Sequence, residues 1–317
     1  MIDSLEIESI LTLIDPNNIR VYQPTSILFV CGGTIDPAVQ PPPSLREAFM
    51  RVAHDKPFDK YNAVLAEGLN AFFPKGTYRD LLTLESDIAQ ISSLILVFSE
   101  SYGSAAELGA FAVLPEISQR MLVVVDDKRF EENSFIKLGP LLSLQNSIGE
   151  SAVCVLSRKD IGVERIDRLD KLDIKEFTYI LEQSIKERTR EIPNHSTFNR
   201  DNNGHLIKLI VGLIQLYGAL TFDEIDVALY CLGINCNKER ILNFLVCADF
   251  AEWISSTKRG FRTFYVAKAQ KMAVKFQAKP GMDLDRVRWQ ATIREHWKET
   301  DKTRFNCVVE FAELAKG

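Results

Sequence analysis

Five short runs in the first half of the chain are almost wholly apolar: "SILFVCGG" (26–33), "NAVLAE" (62–67), "SLILVF" (93–98), "RMLVVVDD" (120–127) and "SAVCVLS" (151–157). A strand that alternates apolar with polar residues can leave one face in water, whereas a strand apolar on both faces must be covered on both. The stretches between the runs have helical spacing. "SLREAFMRVAH" (44–54) opens on Ser44, a good N-cap, and "TYRDLLTLESDIAQIS" (77–92) puts Leu81, Leu84, Ile88 and Ile91 on one face. "SAAELGAFAVL" (104–114) follows the third run. Strands alternating with helices predict an α/β domain over 1–157 with a parallel, Rossmann-like sheet. Ligands of such sheets bind beyond the carboxyl ends of the strands.

Two turns fall at that edge. "CGGT" (31–34) ends the first run in Cys31, Gly32 and Gly33, and "SESYGS" (99–104) leads from the third run into the next helix. Gly103 lets the backbone approach a ligand closely, and N–H groups at the start of that helix can receive an anionic group. Glu107 is predicted in its first turn, facing the same crevice. No GK[ST] follows either turn and no GxGxxG is present, which excludes a P-loop and the dinucleotide fingerprint. Asp126 and Asp127 end the fourth run, a position that suits a pocket residue and a strand-ending turn equally. Nothing near Cys31 argues for a reactive thiolate.

After Ser157 the pattern changes. "LDKLDIKEFTYILEQSIKERTRE" (169–191) reads as an amphipathic connecting helix, and "IPNHSTFNRDNNG" (192–204) has the composition of a linker, so 158–204 is predicted to join two domains. Three helices follow, "HLIKLIVGLIQLYG" (205–218), "TFDEIDVALYCLG" (221–233) and "NKERILNFLVCADFA" (237–251), with Thr221 and Asn237 as N-caps. "EWISSTKRGFRTFYVAK" (252–268) then alternates like a hairpin around "KRG". Three helices and a basic hairpin predict a smaller α+β, winged-helix-like domain over 205–270, with the third helix in the recognition position. Lys238, Arg240, Lys258, Arg259 and Arg262 are placed to meet phosphates, although a winged helix serves protein contact or dimerisation equally well. The remainder, 271–317, reads as a basic helical tail carrying Arg286, Arg288 and Arg294, with Trp289 and Trp297 available to stack on bases or to pack inward.

Charge supports that division. The net charge of −5 hides an acidic first half and a stretch from Lys258 to Arg304 in which cations face few acids, the footprint of an anionic partner. The six cysteines form no CxxC or Cys/His pattern, and the four histidines show no HExxH spacing, so no metal is predicted. No secretory leader and no membrane-length apolar run are visible, which points to a cytoplasmic protein with reduced thiols and no membrane.

Four motifs in order, "VCGG", "LLTLE", "SESYGSAAELGAF" and "SFIKLGP" (134–140), resemble the nucleoside 2-deoxyribosyltransferase-like fold, in the version found in retron effector proteins of bacterial anti-phage systems. The resemblance implies an N-glycosidase acting on NAD or a related nucleotide as substrate, with no bound cofactor. Cleaving that bond builds positive charge on the anomeric carbon, which a carboxylate stabilises or attacks. The resemblance places the catalytic role on Glu107, where the small neighbours Ala105, Ala106 and Gly109 leave room, although an acid near a helix N-terminus has a purely structural reading too. It places Cys31, Gly32, Gly33, Glu85, Glu100, Ser101, Gly103, Ser104 and Asp126 around the substrate; for Glu85, an exposed helix carboxylate fits as well. The partners it implies are a retron reverse transcriptase and its RNA-linked single-stranded DNA, held by Lys258, Arg259, Arg262, Arg286, Arg288 and Arg294, with a homo-oligomer left open. Deoxyribosyltransferases carry Asp where this chain has Ser101 beside Glu100, which speaks against deoxyribosyl transfer itself. Two further readings stand beside it: a nucleotide-sensing, nucleic-acid-binding regulator without turnover, and a metabolic N-ribohydrolase. The PGGxGTxxE turn of lysine-decarboxylase-like phosphoribohydrolases is only partly echoed by "YGSAAE".

Overall fold

The computed structural model describes residues 10–268, 271–283 and 285–314. Packing divides the chain into two compact units, each assembled from separate stretches. One is built from Ser26–Gly68 and Ile88–Pro193, the other from the residues up to Thr25, Leu69–Asp87 and those from Asn194 onward.

The first of these is a parallel α/β unit. Its strands are β2 (Ile27–Cys31), β3 (Asn62–Leu65), β4 (Leu94–Phe98), β5 (Met121–Asp126) and β6 (Val153–Leu156), in the order β3–β2–β4–β5–β6; β1 (Arg20–Tyr22) belongs to the other unit. Every residue of β2, β4 and β5 is buried, as their unbroken apolar sequences require, while the edge strand β3 is partly exposed. Helices α1 (Leu45–Val52), α3 (Tyr102–Ala112) and α4 (Ile174–Glu191) accompany the sheet, and α2 (Leu81–Ile91) contributes its last turn. The Phe49 ring meets those of Phe58 and Phe98 at centroid distances of 5.2 and 5.9 Å. The connecting helix, α4, adds Phe177, Leu181 and Ile185 to the same core. Its buried Arg188 donates hydrogen bonds to the carbonyls of Met121 and Gln119, fixing α4 to the start of β5. From β2 the chain winds outward to β3, then returns to place β4 on the other side of β2. The crevice beyond the carboxyl ends of β2 and β4 is therefore the topological switch point of the sheet.

The second unit opens with β1 (Arg20–Tyr22), the central strand of a small antiparallel sheet flanked by β7 (His195–Thr197) and β11 (Val274–Lys275). The segment predicted as a linker thus contains a strand, whose pairing partner Arg20 lies far away in sequence from Thr197. Every residue of α5 (Asn203–Tyr217) from Leu206 to Tyr217 is buried. Around it lie α6 (Phe222–Cys231), α7 (Lys238–Phe250) and a sheet ordered β8–β10–β9, formed by β8 (Ala219–Leu220), β9 (Ile254–Arg259) and β10 (Arg262–Ala267). The Thr221 and Asn237 caps are present: the Thr221 N–H donates to Glu224 at 2.8 Å, and Asn237 accepts from the Arg240 N–H at 2.8 Å. Among the described residues no helix is long and apolar enough to cross a membrane.

Two further helices, α8 (Arg286–Thr300) and α9 (Lys302–Leu314), complete this unit and change the meaning of its basic residues. Arg304 is 0% exposed; it pairs with Glu224 at 2.6 Å and Asp301 at 3.4 Å, and lies 4.1 Å from the Trp297 ring centroid. Trp297 donates its indole N–H to the Tyr217 carbonyl at 2.9 Å, so it packs inward and does not offer its face to a base. Arg259 pairs with Glu310 at 2.5 Å, and Arg262 with Asp301 at 2.7 Å. Breaking one side of a buried ion pair strands the other charge. Arg304→Met is therefore expected to destabilise this unit by about 3 kcal/mol. A urea midpoint equal to that of the wild type would show that Arg304 is not its structural tie.

Candidate active site

The switch-point crevice takes its shape from the turn after β4. The Ser101 hydroxyl oxygen accepts the Ser104 N–H at 3.1 Å, and Ser104 Oγ accepts the Ser101 N–H at 3.0 Å, a reciprocal cap that starts α3 at Tyr102. The helix begins two residues earlier than expected, which moves Glu107 from the first turn to the second. Ser104, Leu108 and Phe111 form the buried face of α3. The Ser101 hydroxyl also donates to the Gly32 carbonyl at 3.0 Å, tying this turn to the one after β2.

Glu100 makes the second tie. Its Oε1 accepts the N–H groups of Gly33 and Arg46, each at 3.0 Å, and its Oε2 accepts the Leu45 N–H at 2.8 Å. The start of α1 and the glycine turn form an anion cradle, and the chain fills it with its own carboxylate. Burial pushes the Glu100 carboxyl up, the three N–H groups pull it down, and the balance leaves it above its ordinary value. Gly33 is required here, because a Cβ would lie 3.0 Å from Glu100 Oε1 and 2.9 Å from Ser44 Cβ.

Two residues absent from the sequence-derived pocket belong to it. Arg46, 2% exposed, donates from Nη1 and Nη2 to the two oxygens of Glu67 at 2.9 and 2.6 Å. Its stem crosses the glycine turn, where a Cβ on Gly32 would sit 2.8 Å from Arg46 Cβ and 3.0 Å from Phe98 Cβ. Burial opposes the Glu67 charge, but the hydrogen bonds from Arg46, a backbone hydrogen bond and the Arg46 charge together outweigh it and hold that carboxyl below its ordinary value. The only sequence signals were an Arg two residues after the Ser44 cap and a Glu closing the second apolar run.

Glu107 lies among these groups. The buried Cys31 thiol donates to its carboxylate, and its Oε2 is buried with no hydrogen-bond partner among the described residues. Burial above all, and the Glu67 charge, raise its pKa; the Cys31 hydrogen bond and the Arg46 charge lower it; the net direction is up. A carboxylate that is ionisable, reachable and incompletely satisfied can face a developing cation.

The other predicted residues have these places. Cys31, Gly32, Gly33, Glu100, Ser101, Ser104 and Glu107 gather at the ends of β2 and β4, whereas the polar atoms of Glu100, Ser101 and Ser104 are engaged within the fold. Gly103 is exposed, and a Cβ there would meet only Ser101 Oγ, at 3.8 Å. Asp126 ends β5 as a helix cap held by Arg158 at 2.7 Å. Glu85 and the basic residues Lys258, Arg259, Arg262, Arg286, Arg288 and Arg294 belong to the other unit.

The opposing influences on Glu107 have a checkable sign. Cys31→Ala removes a contact that favours the ionised form, so the Glu107 pKa should rise further. Glu67→Gln removes a charge that opposes ionisation, so it should fall. The carbon-13 shift of the Glu107 carboxyl, followed by NMR against pH, reads both; shifts of the same sign would refute this electrostatic picture.

The comparisons with known proteins bear on this site. A family model described as "STM3845 retron effector protein" matches residues 42–256, well over half of the chain. An Escherichia coli protein named "Retron Ec73 putative ribosyltransferase/DNA-binding protein" is 29% identical over 153 residues, covering 46% of this chain and 47% of that one. Its Retron Ec86 counterpart, from the same organism, is 30% identical over 94 residues, covering 27% and 31%. The matched stretches thus span about half or less of these relatives' own lengths.

Proposed function

The chain belongs to the retron effector family described as STM3845, and on that premise we propose that it is an N-glycosidase that cleaves base from sugar in NAD or a related nucleotide. The observation that carries this reading is the Glu107 carboxylate at the switch point, raised in pKa and left with an unpartnered buried oxygen. As the C–N bond breaks, its electron pair leaves with the base and positive charge spreads over the sugar ring. Glu107 is the group that stabilises this cation. Water then takes the vacated position on the anomeric carbon and releases a proton. With NAD the products are nicotinamide, ADP-ribose and a proton. The ribosyltransferase wording in the relatives' names is consistent with chemistry at the same bond.

Glu107→Gln retains size and hydrogen bonding but deletes the charge, so base release should fall by orders of magnitude while the fold survives. Chromatography of NAD incubated with the purified chain measures it. Full turnover by the folded variant would remove Glu107 from the reaction.

In the same reading the effector is a toxin restrained by the retron reverse transcriptase and its RNA-linked single-stranded DNA. The helix–strand–helix–helix–hairpin order and the β8–β10–β9 sheet support a winged helix as the module that meets them. Lys258 is exposed, whereas Arg259 and Arg262 are paired within the unit. Lys258→Ala should therefore flatten the dependence of log affinity for single-stranded DNA on log salt by about 0.7. Arg259→Ala and Arg262→Ala should change it less, because each cation must first leave its carboxylate. An unchanged slope for Lys258→Ala would reassign the hairpin to protein contact.

A further inference from the structure

Two polar atoms of the switch-point site are buried with no hydrogen-bond partner among the described residues: Nε of Arg46 and Oε2 of Glu107. They are opposite in kind, since Nε–H can only donate and an ionised carboxylate oxygen can only accept. Nη1 and Nη2 each direct an N–H at Glu67 and the stem lies against Gly32, and Nε is the buried nitrogen of Arg46 with no partner among the described residues. The charge of Arg46 acts directly on Glu107, and both groups stand at the ends of β2 and β4. Leaving a buried donor and a buried acceptor unpaired at the same edge of the sheet is costly unless water or a ligand group satisfies them.

We propose that Arg46 Nε and Glu107 Oε2 together bind one hydroxyl of the substrate, the 2′-hydroxyl of a ribose, and so restrict the site to ribosyl compounds. A hydroxyl is the simple group that accepts and donates through one atom. A phosphate oxygen would satisfy Arg46 but be repelled by Glu107, and an amide carbonyl would leave Glu107 unpaired. The choice of the 2′ position rests on the N-glycosidase reading. A carboxylate facing the anomeric carbon has its second oxygen beside the neighbouring carbon, and a hydrogen bond to that hydroxyl strengthens as the cation forms. Arg46 is on this account a substrate-binding, specificity-determining residue. A 2′-deoxyribosyl ligand leaves both protein atoms unpaired and should be disfavoured roughly 100-fold or more.

The test crosses one deletion in the ligand with one in the protein. Arg46→Lys keeps a cation for Glu67 but has no counterpart to Nε. Turnover of NAD is compared with that of its analogue deoxygenated at the 2′ carbon of the nicotinamide riboside. Comparing the ratio between wild type and variant cancels the intrinsic reactivity difference of the two sugars. The expected result is that Arg46→Lys lowers kcat/KM for NAD at least tenfold more than it lowers that for the deoxy analogue. Binding is read separately by calorimetry of wild-type protein with nicotinamide mononucleotide and AMP, each against its 2′-deoxy form, with chromatography of the same samples to show any compound that is cleaved. Stronger binding of at least one ribose form over its partner, without glycosidic turnover of any compound, would refute the N-glycosidase reading and leave the hydroxyl site standing. Failure of both ribose forms to outbind their deoxy partners, or an unchanged turnover ratio in folded Arg46→Lys, would overturn the hydroxyl site.

Discussion

The site of this protein hangs on the carboxylate of Glu100. Glu100 is half-buried with its carboxyl turned inward, and a charge withdrawn from water persists only where hydrogen bonds replace it. Three backbone N–H groups do so, from the glycine turn after β2 and the first turn of α1. The side chain that follows β4 thereby welds together the ends of two adjacent strands and the helix between them in sequence. One of those N–H groups belongs to Arg46, whose backbone is thus pinned by Glu100 while its guanidinium grips Glu67. Shape and electrostatics at Glu107 are set through this single junction. The two glycines of the turn are its geometric counterpart, since Glu100 and Arg46 occupy the space their side chains would need.

The charges around Glu107 are balanced rather than maximised. Two groups favour its ionised form, the Cys31 thiol and Arg46, and two conditions oppose it, burial and Glu67. Glu67 has a double part: it pairs with the Arg46 guanidinium and repels Glu107, so the site keeps a carboxylate that is neither locked in an ion pair nor wholly suppressed. A carboxylate poised in this way can respond to charge appearing in front of it.

Local chemistry was legible in the sequence, and long-range chemistry was not. The five strands of the parallel sheet follow from apolar runs, and the caps Ser44, Thr221 and Asn237 follow from residue type beside a periodic segment. Glu107 stood out because its motif is contiguous. Arg46 and Glu67 did not, because their pairing joins residues 21 positions apart, with most of α1 and the whole of β3 between them. The strands β1, β7 and β11 are two or three residues long, too short to carry a pattern, and exist only through partners distant in sequence. A tally of cations between Lys258 and Arg304 likewise could not show that Arg259, Arg262 and Arg304 would turn to Glu310, Asp301 and Glu224.

The interleaving of the two units has a consequence for the order in which they can form. All residues of the parallel-sheet unit, Glu107 included, have left the ribosome once Pro193 emerges. Strand β1, though made earlier, must wait for β7 and then for β11, where Arg20 meets Lys275. Closing so long a loop is slow more than it is unfavourable, since each doubling of loop length costs only about 0.6 kcal/mol. Domains fold as they emerge, at about 5–20 residues per second. During synthesis there is accordingly an interval of several seconds in which the unit bearing Glu107 is complete while the unit bearing the basic hairpin is still being made.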